Sequence, residues 1–288
     1  MFPTVVSGQG QPAFIHGEVG RQLPQQSVTS LLQAVDGRIW IGTQTGLFYY
    51  DGTAVRPAEV EGDPDLGGSV YVRSLVQAED GALWVGTESD GVLIAPPSTR
   101  RFVRLDIGSG AVYVEEPTPG IIAIGSDSGL RLVSGTDPFD DLTSPVSVCE
   151  DPSPIRSLGK ASGGDLLVGT DAGVAARLSP AGRGSVEWCA QLNSPVRSFL
   201  AESDGVLVGT LGAGLQKLDS ATGVIIETVI PGTAGPGAQV AALHRDRDGT
   251  LLVGTFGGLA LVDDQDRVEW LVPDPDDPRS LPDASVSA

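Results

Sequence analysis

The sequence predicts an all-β fold, a β-propeller of four-stranded antiparallel blades. Three observations carry this: a short phrase closing on Gly-Thr or Gly-Ser recurs six times, its spacing is nearly constant, and the same order of strands and turns surrounds each copy. The copies are Trp40-Ile41-Gly42-Thr43, Trp84-Val85-Gly86-Thr87, Ala123-Ile124-Gly125-Ser126, Leu167-Val168-Gly169-Thr170, Leu207-Val208-Gly209-Thr210 and Leu252-Val253-Gly254-Thr255. Their glycines fall 44, 39, 44, 40 and 45 residues apart. A period of about 40–45 residues built only of strands marks propeller blades.

The first repeat shows the order of elements. Val28-Thr29-Ser30-Leu31-Leu32-Gln33-Ala34 is a β-prone run that ends at Asp36-Gly37, read as a two-residue type I′ hairpin turn with positive φ at both positions. Arg38-Ile39-Trp40-Ile41-Gly42-Thr43 makes the second strand, Thr45-Gly46 the next turn and Leu47-Phe48-Tyr49-Tyr50 the third strand. Asp51-Gly52 closes it, and Ala54-Val55-Arg56 begins a weaker fourth strand. Asp80-Gly81, Gly163-Gly164, Asp204-Gly205 and Asp248-Gly249 repeat the first turn. Blades pack on both faces, which suits continuous apolar runs such as Leu251-Leu252-Val253. The glycine before Thr is read as permitting close approach of backbones in the inner packing of the ring.

Six repeats are complete, and Ser285-Val286-Ser287-Ala288 restates the opening Ser27-Val28-Thr29-Ser30. Thr4-Val5-Val6 and Ala13-Phe14-Ile15-His16 read as third and fourth strands without a first or second. Residues 1–288 are therefore expected to form one propeller, seven-bladed with an incomplete last blade whose inner strands are missing after residue 288. A closed six-bladed ring is the alternative.

Composition narrows the function. With 18 Lys+Arg against 37 Asp+Glu the net charge is −19, which argues against sequence-independent binding of nucleic acid or anionic membranes. No run approaches the roughly 18 apolar residues of a transmembrane helix, so this segment is not expected to insert directly into a membrane. The opening residues show no basic and apolar signal-peptide pattern. Cys149 and Cys189 each lie 20 residues before the glycine of their repeat. Equivalent outer positions on splayed blades would exceed the roughly 7 Å limit for a disulfide, so free thiols are expected.

No catalytic constellation stands out. The two histidines, His16 and His244, have no companion motif, and no nucleophile elbow, phosphate loop or zinc-binding helix motif is present. Acidic clusters at Asp263-Asp264-Asp266 and Asp274-Asp276-Asp277 lack the spacing of a calcium loop. No cofactor, metal or catalytic residue is assigned.

One column of the repeat is unusual. The second residue of the first strand is Thr29, Arg73, Arg156, Arg197 and Ala241, with Val112 or Tyr113 in the third repeat. First strands line the central channel, and their starts lie on the face where the turns after Gly-Thr emerge. Arg73, Arg156 and Arg197 are therefore either struts paired with acidic residues of neighbouring blades, or a cationic funnel for an anionic ligand such as an acidic oligosaccharide. Tyr113 and the exposed aromatic Phe256 are candidate contacts beside them.

The motif also resembles a known family. Val-x-Ser-Leu, then Asp-Gly-x-hydrophobic-Trp-hydrophobic-Gly-Thr, then Gly-Leu and Tyr-Asp-Gly, looks like the two-component regulator propeller repeat, with residues 28–52 the nearest match. The tail Asp274-Pro275-Asp276-Asp277-Pro278-Arg279-Ser280-Leu281-Pro282-Asp283 is similar to the loop that precedes such repeats. Trp stands in only two of the six Gly-Thr strands, and the third repeat departs most. The resemblance implies the periplasmic or extracytoplasmic sensor portion of bacterial histidine kinases, hybrid two-component proteins or diguanylate cyclases, with polysaccharide fragments as ligands in several members. A ligand-sensing module without catalysis, communicating with a downstream signalling domain or partner subunit, is the leading expectation. A standalone propeller lyase or hydrolase, or a protein-interaction scaffold, are the alternatives.

Overall fold

The computed structural model describes residues 22–25, 27–63, 65, 68–97, 99, 101–108, 110–134, 145–180, 184–232, 236–277 and 280–287. The strand readings at 4–6 and 13–16, and His16 with them, lie outside these residues.

Six antiparallel blades succeed one another. Blade 1 is β1 (Val28–Gln33), β2 (Ile39–Thr43), β3 (Gly46–Tyr50) and β4 (Val55–Pro57). The connecting chain then adds a short parallel strand, β5 (Glu59–Val60), to the outside of blade 2. Blade 2 proper is β6 (Val72–Gln77), β7 (Leu83–Thr87), β8 (Val92–Ala95) and β9 (Arg101–Leu105). Blade 3 has β10 (Tyr113–Thr118), β11 (Ile121–Ser126) and β12 (Gly129–Ser134), with an isolated bridge from Leu130 to Val146 at its outer side. Blade 4 comprises β13 (Ile155–Lys160), β14 (Leu166–Thr170), β15 (Val174–Ser179) and β16 (Ser185–Gln191). Blade 5 comprises β17 (Val196–Glu202), β18 (Gly205–Thr210), β19 (Gly214–Leu218) and β20 (Ile225–Pro231). Blade 6 comprises β21 (Val240–Arg245), β22 (Leu251–Thr255), β23 (Gly258–Val262) and β24 (Val268–Leu271).

The recurring phrase has a two-part cause. Its Thr is buried at the end of each second strand, and its hydroxyl ties the following turn. Thr43, Thr87, Thr210 and Thr255 each donate to a carbonyl three or four residues on, at 2.8–3.0 Å, while accepting a backbone N–H from within the turn. Ser126 does the same at 3.3 Å. The preceding glycine leaves room for the next blade. A Cβ on Gly169 would lie 2.5 Å from Val196 Cγ1, and one on Gly125 would lie 2.5 Å from Ile155 Cγ2. In both cases the obstructing residue opens the first strand of the following blade.

The apolar core is divided among the seams. Trp40 and Leu47 of blade 1 pack with Val85, Leu93 and Phe102 of blade 2, and Trp40 meets Phe102 edge-on at 5.4 Å. Four further clusters fill the seams between blades 2 and 3, 3 and 4, 4 and 5, and 5 and 6. Neighbouring blades are thus joined by the area-proportional gain of apolar burial.

Three sequence expectations are corrected. The Asp-Gly turns after the first strands are not type I′. Unlike Gly163-Gly164, where both residues are positive, and Asp204-Gly205, where neither is, the turns at Gly37 (85°), Gly81 (89°) and Gly249 (92°) have positive φ only at the glycine. These are three-residue connections, in which Gly37 N–H donates to Ala34 O and Ala34 N–H to Arg38 O, with the left-handed residue that such a hairpin requires. The aspartate recurs because its carboxylate accepts the N–H two residues on, from Arg38, Ala82 and Thr250.

The cysteines are bonded. Cys149 and Cys189 form a disulfide with Cα atoms 6.1 Å apart. Equal spacing to the glycines misled, because Cys149 is not on an outer strand. It follows Val148 in the turn leading into blade 4, with φ of 55° at Cys149 and 58° at Glu150, and this turn brings it to β16.

Six blades, the alternative reading, are present among the described residues in place of a seventh with its own sheet. Val286 and Ser287 nevertheless bridge the ends of the series. Val286 N–H donates to Thr255 O of blade 6, as Val112 N–H does to Thr87 O of blade 2. Ser287 Oγ donates to Val28 O of blade 1, as Thr29 Oγ1 does to Val72 O of blade 2.

Candidate functional site

The unusual column is built by β-bulges. The ladder between first and second strands slips between Val28 and Ser30, Val72 and Ser74, Ile155 and Ser157, Val196 and Ser198, and Val240 and Ala242. The extra residue in each case is Thr29, Arg73, Arg156, Arg197 or Ala241. A bulged residue is released from the ladder and its side chain is re-aimed, a device found beside functional sites. Blade 3 has no bulge there: Tyr113 itself pairs with Gly125, while Val112 is buried. Tyr113 thus takes the place that Ser30, Ser74, Ser157, Ser198 and Ala242 hold opposite the glycine in the other blades.

A second column faces the first. The residue after Gly-Thr is Gln44, Glu88, Asp127, Asp171, Leu211 or Phe256. The N–H of Glu88, Asp171, Leu211 and Phe256 donates to the carbonyl just before the start of the first strand, at Tyr71, Pro154, Pro195 and Gln239. This bond holds each turn against the first strand of its own blade.

The two columns meet in ion pairs, one within blade 2 and a linked set across blades 3 to 5. Arg73 Nε donates to Glu88 Oε2, and its guanidinium lies 4.3 Å from the centre of the Tyr71 ring. Arg156 Nη1 donates to Asp127 Oδ1 of blade 3 at 2.6 Å, and its Nε to Asp171 Oδ1 of its own blade at 3.4 Å. Arg197 Nη2 of blade 5 approaches the same Asp171 oxygen at 3.8 Å. Burial opposes the charge on Arg73, but the hydrogen bond to Glu88 and the fields of Tyr113, Tyr71 and Glu88 outweigh it, raising its pKa. For Arg156 burial is likewise outweighed, by Asp127, Asp171 and Tyr113. Tyr113, on the blade between them, contributes to the rise at both arginines.

Arg73, Arg156 and Arg197 occupy equivalent bulges, with Tyr113 on the blade between the first two, and they do not form a net-positive funnel. Three arginines are matched by Glu88, Asp127 and Asp171. Those carboxylates were missed in the sequence, although they sit in one column directly after the diagnostic phrase. Phe256 is on blade 6, where the bulged residue is Ala241, and its ring is 47% exposed. Leu211 precedes it on blade 5, so the rim passes from a charged sector to an apolar one. His244 lies away from this rim, near the other end of β21, and is exposed.

Residues 22–45 and 65–89 match the model of the two component regulator propeller family. These stretches are the first strands, second strands and Gly-Thr turns of blades 1 and 2, so the match takes in Arg73 and Glu88 on the rim of blade 2. The extracellular domain of the putative one component system BT4673 from B. thetaiotaomicron superposes with a TM-score of 0.72 at 21% identity, over 96% of this chain and 36% of that one. The extracellular domain of the putative hybrid two component system BT3049 from the same organism gives 0.71 at 18% identity, over 95% and 38%. The chain thus spans little more than a third of these domains. Virginiamycin B lyase from Staphylococcus aureus is also similar, with a TM-score of 0.65 at 13% identity over 89% of this chain and 85% of that one. At such identities these likenesses concern the fold. A comparison with curated proteins found no match. Among the described residues no helix is long and apolar enough to cross a membrane.

Proposed function

We propose that this propeller is a ligand-sensing module of a bacterial signal-transduction protein, without catalysis of its own, and that it takes an oligosaccharide on the rim of blades 2 to 6. The carrying observation is the pairing of three bulged arginines with carboxylates of the facing column, Arg73 with Glu88, and Arg156 and Arg197 with Asp127 and Asp171. Such pairs offer charged donors and acceptors side by side, suited to the adjacent hydroxyls of a sugar, and Phe256 offers an apolar face for the ring. Because the charges are matched, the reading shifts from an acidic to an uncharged oligosaccharide. Binding would be relayed to a downstream signalling domain or partner subunit. Placement outside the cytoplasm fits the Cys149–Cys189 bond, since disulfides persist in oxidising compartments. The same reading takes residues 1–288 as a single propeller.

Titration calorimetry with matched panels of neutral and uronic-acid oligosaccharides, at low and high salt, tests this. Binding of neutral sugars with little salt dependence supports it. Binding of acidic sugars alone, lost at high salt, restores the cationic funnel. Binding of neither contradicts the sensing reading.

One observation favours a second reading, a scaffold for protein partners. Val224, Ile225 and Ile226, at 61%, 44% and 54% exposure, run consecutively into β20, the outermost strand of blade 5. Exposed edge strands of this kind are sites of strand addition. Lys or Pro substitution of Ile226 that abolishes capture of a signalling partner, with oligosaccharide binding absent, would favour it.

A further inference from the structure

On the opposite face from the rim, the seam between blades 1 and 2 opens into a groove of about 270 Å³. The β1–β2 turn forms one wall, with Ala34, Val35 and Arg38, and Pro96 and Pro97 after β8 form the other. Trp40, Leu83 and Ala95 lie beneath. The walls are held across the seam, because Gln77 Oε1 of blade 2 accepts Val35 N–H of blade 1 at 2.8 Å while Gln77 Nε2 donates to Gly81 O. The groove therefore does not depend on a ligand for its shape.

Its one cation, Arg38, has hydrogen-bond donors to spare. The Arg38 side chain is only 17% exposed, yet its guanidinium donates no hydrogen bond to any described residue. Asp36 Oδ2 stands 3.7 Å from Nε, beyond hydrogen-bond reach, and the Tyr49 ring lies beneath the guanidinium at 4.9 Å. Arg156 and Arg177 are comparably enclosed, at 18% and 21%, and each donates to a carboxylate. A guanidinium carries five donors in a fixed fork that matches a carboxylate, and those of Arg38 are not buried donors left without a partner, so they stay accessible within the groove.

We propose that this groove binds a small organic acid, its carboxylate taken by Arg38 and its apolar body lying among Val35, Trp40, Leu83 and Pro97. The site is separate from the rim, so it stands or falls independently of the oligosaccharide reading.

Phenylacetate and its uncharged isostere phenylacetamide are the probes, followed by the indole N–H signal of Trp40 in ¹H–¹⁵N spectra of the full chain. Phenylacetate is expected to shift that signal saturably with a Kd no weaker than about 5 mM, in the range of small fragments. Phenylacetamide is expected to bind at least about tenfold more weakly, the loss corresponding to one charge-assisted contact. Arg38→Gln should abolish the difference between the two. Should that variant fail to fold, the acid–amide comparison on the unaltered protein still decides the matter. Equal binding of acid and amide, no saturable shift at Trp40, or undiminished binding by a folded Arg38→Gln protein would each overturn the proposal. So would a short peptide ending in a free phenylalanine carboxylate that binds about a hundredfold tighter than phenylacetate, since the site would then belong to a chain terminus.

Discussion

Arg156 Nη1 donates to Asp127 Oδ1 at 2.6 Å across the seam between blades 3 and 4. The same guanidinium reaches Asp171 on its own blade, and Asp171 in turn faces Arg197 on blade 5. One arginine thus links three blades on the face where the bulged residues emerge. The arrangement gives the rim a defined shape before any ligand arrives, which lowers the ordering cost of binding.

That role has a measurable structural part. Arg156→Ala should lower unfolding free energy by about 1 kcal/mol, a modest value because the pairs are partly solvated. Arg156→Lys should not restore it fully, since a single ammonium cannot serve two carboxylates with a fixed fork. Urea denaturation of the three proteins checks this, and a loss above about 4 kcal/mol would mean a buried network in place of a rim.

The Cys149–Cys189 bond closes a loop across 40 residues and ties the entry of blade 4 to its outer strand. Chain-entropy arguments give such a closure roughly 4 kcal/mol. Reduction, or the Cys149→Ser and Cys189→Ser pair, should lower the melting temperature by several degrees. Scanning calorimetry with and without reductant should show the difference, and coincident melting curves would refute it.

Gly169 shows why the repeat phrase is so persistent. A methyl group there would press on Ser157 of its own blade and on Val196, the first residue of blade 5. Gly169→Ala is expected to destabilise by about 1–3 kcal/mol through overpacking. Gly37→Ala, where nothing lies within 4 Å but φ is 85°, should lose stability through backbone strain alone. Chemical denaturation separates the two if an additional Val196→Ala change rescues Gly169→Ala and leaves Gly37→Ala unaffected.

These positions also show what can be read from residues alone. The six glycines announce six blades because the next blade's Val or Ile must pass close to each of them, a demand met by one residue type. The bulged arginines were visible as a column for the same reason, since every blade repeats one register. The carboxylates facing them occupy an equally regular column but drew no notice, because acidic residues are common in this chain and their pairing is a matter of geometry. Asp-Gly gives the location of a turn, but its type depends on whether Asp or only Gly takes positive φ. The cysteine reading failed where blade 3 departs from the repeat: spacing assumes equivalence, and Cys149 lies in a turn with no counterpart elsewhere.

Glu115 on β10 supplies a pH-dependent prediction. Burial raises its pKa, against the smaller lowering effects of the Glu116 N–H and Lys160. The folded protein therefore holds this proton to higher pH than the unfolded chain, so stability declines as pH rises from the ordinary glutamate range through the raised value. Glu115→Gln keeps an acceptor for Glu116 N–H and removes the charge. It should be more stable than the parent at neutral pH, with the advantage vanishing in acid below the ordinary range. Melting temperatures of both proteins between pH 4 and 7 would test this, and an unchanged difference across that range would refute it.

The rim's assignment as a ligand site is tested most directly by ¹H–¹⁵N spectra recorded during titration with the neutral oligosaccharide that binds best in calorimetry. Saturable shifts should concentrate at Arg73, Glu88, Tyr113, Asp127, Arg156, Asp171, Arg197 and Phe256, and Arg156→Ala should weaken binding by about 1–3 kcal/mol while the fold is retained. Shifts confined to β20 or the opposite face, or affinity unchanged by Arg156→Ala, would mean that the arginines are struts between blades and that the ligand site lies elsewhere.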